Sequence, residues 1–76
     1  ASQEAYGTLV DAVGACGVAD AATVAFAVWS ALHGLTDIAT AGIQPPRADT
    51  PGATELAAGV IGMCVEYVRR CAASAS

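Results

Sequence analysis

His33 and Asp37 stand four residues apart, a spacing that puts an imidazole and a carboxylate on one helix face. As base and orienting group such a pair needs a nucleophile, and no motif in the chain supplies one, so the expectation is a protein that is not an enzyme. Cys16, Cys64 and Cys71 form no Cys-x-x-Cys pair, and His33 is distant from all three in sequence. A zinc site would require all four to converge, and none is expected, nor any cofactor. An odd number of widely spaced thiols predicts reduced, buried cysteines in a cytoplasmic protein. Arg69-Arg70 is the one basic pair in a chain without Lys and with a net charge of −4. Phosphate contacts need clustered cations, so these residues are not expected to bind nucleic acid themselves.

The elements that position these groups come from an unusual composition. Hydrophobic residues make up 55% of the 76 residues and charged residues 13%, about half the charged share of ordinary soluble domains. The apolar surplus must meet a partner or lipid. The stretch from Ala21 to Ile43 is long enough to span a bilayer, but Thr23, Ser30, His33, Thr36, Asp37 and Thr40 interrupt it. An Asp in mid-membrane is costly, so no membrane span is expected. The opening Ala-Ser-Gln-Glu lacks the basic-then-apolar order of a signal peptide.

Three helices are predicted, near 3–15, 20–41 and 51–72, the last two long and antiparallel. Ser2 can cap the first, in which Tyr6, Leu9, Val10 and Val13 form one apolar stripe opposite Glu4, Thr8 and Asp11. Gly14 and Gly17 end it. Asp20 can cap the second, which Gly42 and Pro45-Pro46 stop. One side of that helix carries Val24, Ala27, Ala31, Leu35 and Ile38. The other carries Ala22, Phe26, Trp29, His33, Thr36 and Thr40, so it lacks a clean solvent face. Residues 42–50 read as a loop, with Thr50 as cap and Pro51 opening the third helix. On the third helix Leu56, Val60, Met63, Cys64, Tyr67, Val68 and Cys71, widened by Ile61, Val65 and Ala72, make an apolar arc of about 200°. The tail from Ala72 is expected to fray.

The run Ala27-Val28-Trp29-Ser30-Ala31-Leu32-His33-Gly34-Leu35 resembles the Trp-x-x-x-His-Gly signature in the penultimate helix of one branch of the tetracycline-repressor (TetR) family. The preceding Leu9-Val10-Asp11-Ala12-Val13, the glycine break, the proline-bearing loop and a last helix rich in Val, Met and Ala follow in the family's order. The resemblance implies an all-α fold, in which residues 1–76 supply three helices from the C-terminal part of a ligand-binding and dimerisation domain. It also implies a four-helix-bundle dimer built from the last two helices, and a small hydrophobic effector. DNA would be read through an N-terminal helix-turn-helix domain absent from these residues. The competing expectation is a small helical scaffold or membrane-associated protein without a ligand.

Two sets of residues carry these expectations. Phe26, Trp29, His33 and Thr36 combine aromatic and polar groups on one face, as an effector pocket requires. Alternatively, Trp29 and His33 pack on the first helix with the imidazole bonded to a backbone carbonyl. Ala31, Leu35 and Ile38 on the second helix, with Leu56, Val60, Met63 and Tyr67 on the third, are the candidate homodimer seam. Two helices apolar on more than one side exceed what an intrachain core absorbs. Gly34 is expected to admit a close helix backbone, because a mid-helix glycine costs about 1 kcal/mol relative to alanine.

Overall fold

The computed structural model describes residues 2–42 and 47–75. They form three α-helices, α1 (Ser2–Ala15), α2 (Ala21–Ala41) and α3 (Ala53–Ala75), with no strand among the described residues. The all-α expectation holds; the ends of α1 and α2 fall where predicted, and the other helix limits differ by one to three residues. α1 begins at Ser2 itself, one residue earlier than a cap there would allow. It stops before Gly17, whose φ of 90° is a left-handed conformation that glycine adopts without steric cost. Asp20 caps α2 as expected, its carboxylate accepting the Thr23 amide at 3.2 Å.

The start of α3 departs from expectation. Gly52, not Thr50, precedes the first helical residue, and its amide donates to Glu55 Oε2 at 2.7 Å. That is the returning half of a capping box, with the acid three residues into the helix. Pro51 therefore lies outside the helix. Arg47 and Asp49 pair at 2.9 Å just before it. The guanidinium holds the Asp49 carboxyl below the usual carboxylate range, and the carboxylate raises Arg47. Pro45-Pro46, expected to stop α2, lies outside the described residues. Gly42, at a φ of 80°, ends the helix, and its amide donates to Ile38 O at 2.7 Å. The tail does not fray where expected: α3 continues to Ala75, and Ser74 Oγ donates to Arg70 O.

α2 is the central element, packed against α1 along one margin and α3 along the other. Tyr6 meets Phe26 and Trp29, whereas Gly14 approaches Ala21, so α1 runs antiparallel to α2. Ala31 and Cys64 border one groove, and Ile38 and Leu56 another, so α3 is antiparallel to α2 too. The buried residues are Val13, Val18, Val24, Ala25 and Val28, and none is larger than valine. Leu9, Val10, Val68, Cys71 and Ala72 pack around them. The α1 stripe faces this core as its periodicity indicates. On α2 the buried stripe is Val24, from the first face read from sequence, with Ala25 and Val28, which lie between the two faces.

Compactness is incomplete. The radius of gyration is 14.2 Å, against about 11 Å for a compact domain of this length. The accessible surface is 5274 Å², roughly 1,000 Å² more than the size relation for folded monomers gives.

Candidate functional site

The proposed ligand residues form an aromatic ladder across α1 and α2. The Tyr6 ring meets Phe26 edge-on at 6.3 Å and Trp29 at 5.3 Å, and Trp29 lies 4.8 Å from His33. Such edge-to-face pairs are favourable because the positive ring edge meets the negative face. The i, i+3 and i+7 spacing of Phe26, Trp29 and His33 places them on one side of α2, and Tyr6 reaches over from α1. Phe26 nevertheless remains 62% exposed, so the ladder is a surface ridge.

The Tyr6 hydroxyl donates across to Ala22 O of α2 at 3.5 Å, while the polar atoms of α2 on this ridge turn to their own helix. His33 Nδ1 lies 3.0 Å from Trp29 O. A carbonyl only accepts, so Nδ1 carries the proton, and in the neutral ring Nε2 is left as acceptor. Thr36 Oγ1 donates to Leu32 O at 3.0 Å, and Thr40 and Ser30 bond back to their own helix in the same way. No hydrogen bond joins His33 to Asp37 among the described residues. The imidazole bond to a backbone carbonyl and the contact of Trp29 with Tyr6 of α1 belong to the alternative arrangement read from sequence, whereas the contacts of His33 are with Trp29 on its own helix. None of Phe26, Trp29, His33 and Thr36 borders any of the three grooves described next.

Three shallow grooves lie along α2 and α3. The first, about 190 Å³, is bordered by Ala27, Val28, Ala31, Met63, Cys64 and Tyr67. It brings together three of the residues expected at a dimer seam, Ala31, Met63 and Tyr67. The second, about 250 Å³, holds two more, Ile38 and Leu56, with Ala39, Gly42, Thr50, Pro51 and Ala53. Leu35 and Val60 are half-buried on the same pair of helices and border neither. The third, about 280 Å³, lies between α1 and α3 over Val28, and is bordered by Leu9, Val13, Cys16, Cys64, Val65, Val68 and Arg69. Sequence reasoning did not single it out. Its signal was the broad α3 arc, whose Ile61 and Val65 flank is 52% and 50% exposed on the side away from Met63 and Tyr67.

Two further expectations are corrected. Gly34 has nothing within 4 Å of the position a Cβ would take, and neither do Gly59 and Gly62. No helix of this chain approaches them closely. The cysteines are free, as expected, but they are not all buried: Cys16 is exposed, and Cys64 and Cys71 are half-buried. α2 is long and apolar enough to cross a membrane by length and composition.

No family model, curated protein or solved structure matches this chain.

Proposed function

We propose that the chain is the sensing and dimerisation module of a TetR-like bacterial transcriptional regulator, acting in the cytoplasm as a homodimer through α2 and α3. The observation that carries the reading is surface without cover. A chain this small exposes roughly 1,000 Å² beyond the size relation for folded monomers, and a standard interface buries about 800 Å² per partner. The uncovered surface includes large apolar side chains, three of them on the proposed seam and three, Phe26, Ile61 and Val65, off it. Met63 is 68% exposed, Tyr67 41% and Ile38 38%, while Ala31, Leu35, Leu56 and Val60 lie half-buried between them. A two-fold pairing of this face buries each residue twice, once per copy. The Trp29, His33 and Gly34 motif adds the family resemblance, which assigns DNA contact to other helices and leaves these to sense a small hydrophobic effector.

Sedimentation equilibrium at micromolar concentration tests this directly. A dimer is expected for the unaltered chain and a monomer for Met63→Glu. A well-folded monomer of the unaltered chain overturns the proposal. Retention on lipid vesicles in place of self-association would favour the competing membrane-associated reading, to which the length and apolarity of α2 lend support. Duplex DNA at low salt is expected to be ignored by the isolated chain, because nothing in it displaces phosphate counterions.

A further inference from the structure

We draw no further inference here: the strongest candidate, the carbon-lined trench between α1 and α3 over Val28, is an open apolar face, and nothing in the structure shows what covers it.

Discussion

The two ends of the α2–α3 hairpin are built from similar residues and reach different outcomes. At the end near the α1–α2 turn, Val13, Val18, Val24 and Ala25 are buried, with Val68, Cys71 and Ala72 packed against them. At the other end Leu35, Ile38, Leu56 and Val60 present equally apolar side chains, yet none is buried. The difference is length. α1 has 14 residues against 21 and 23 for α2 and α3, and at 1.5 Å per residue it covers only about two thirds of α2. Where three helices meet, side chains are enclosed. Two helices leave each other's outer flanks in water. The open end and its flanking groove are therefore where a second copy has most to gain.

The largest expected effect separates the ends outright. Ala25 has no exposed surface, so Ala25→Asp buries an unpaired carboxylate and is expected to cost more than about 3 kcal/mol, unfolding the chain. Ile38→Asp at the open end is expected to keep the helical circular dichroism signal and lose self-association. If both variants unfold alike, the distinction between the ends is wrong.

Next in size is the seam. Val60→Glu or Met63→Glu is expected to raise the dissociation constant of the proposed dimer at least about tenfold, the effect of a charge forced into an apolar contact. Sedimentation equilibrium reads it, and an unchanged dimer would move the interface to another face.

A gentler version of the comparison uses truncation. Val24→Ala removes two methyl groups from the core, at about 2 kcal/mol. Leu56→Ala in a Met63→Glu background removes half-exposed atoms and is expected to cost less than about 1 kcal/mol. Denaturant titration distinguishes them, and equal losses would mean that the open end is as well packed as the closed one.

The smallest effects lie at helix starts and on the ladder. Asp20→Ala removes the α2 cap and Glu55→Ala the α3 capping contact, each expected to cost about 0.5–1 kcal/mol. Faster amide exchange at Thr23 in the first and Gly52 in the second is the local readout. His33→Ala, which loses one exposed bond to its own helix, is expected to stay within about 0.5 kcal/mol of the parent. A loss of several kcal/mol would give His33 a role beyond that contact.

Much of this architecture was legible. The α1 stripe, the Asp20 cap and the glycine stops depend on contacts within a few residues, so local pattern is enough to find them. Ala25 and Val28 were passed over because α2 is apolar nearly all round, and periodicity cannot choose among faces of equal hydrophobicity. The α3 start was misplaced because Thr50-Pro51 is a good local signal, while the contact made is between Glu55 and the Gly52 amide. For the candidate site, Ala31, Met63 and Tyr67, grouped from sequence as seam candidates, border one groove between α2 and α3. Sequence placed the aromatic and polar residues of α2 on one face, but not the direction of their hydrogen bonds. Each hydroxyl had its i−4 carbonyl within reach, and that nearby acceptor holds it on the helix.

What the sequence by itself determined is therefore what short-range chemistry controls: three helices, their order, where two of them end, and an apolar surface in excess of one small core. Tertiary structure alone decided which stripe of α2 is enclosed, that Arg69 and two thiols share a trench with α1, and that the far end of the hairpin stays open. These depend on how far a 14-residue helix reaches along its longer neighbours, and that reach is set by packing between elements distant in sequence.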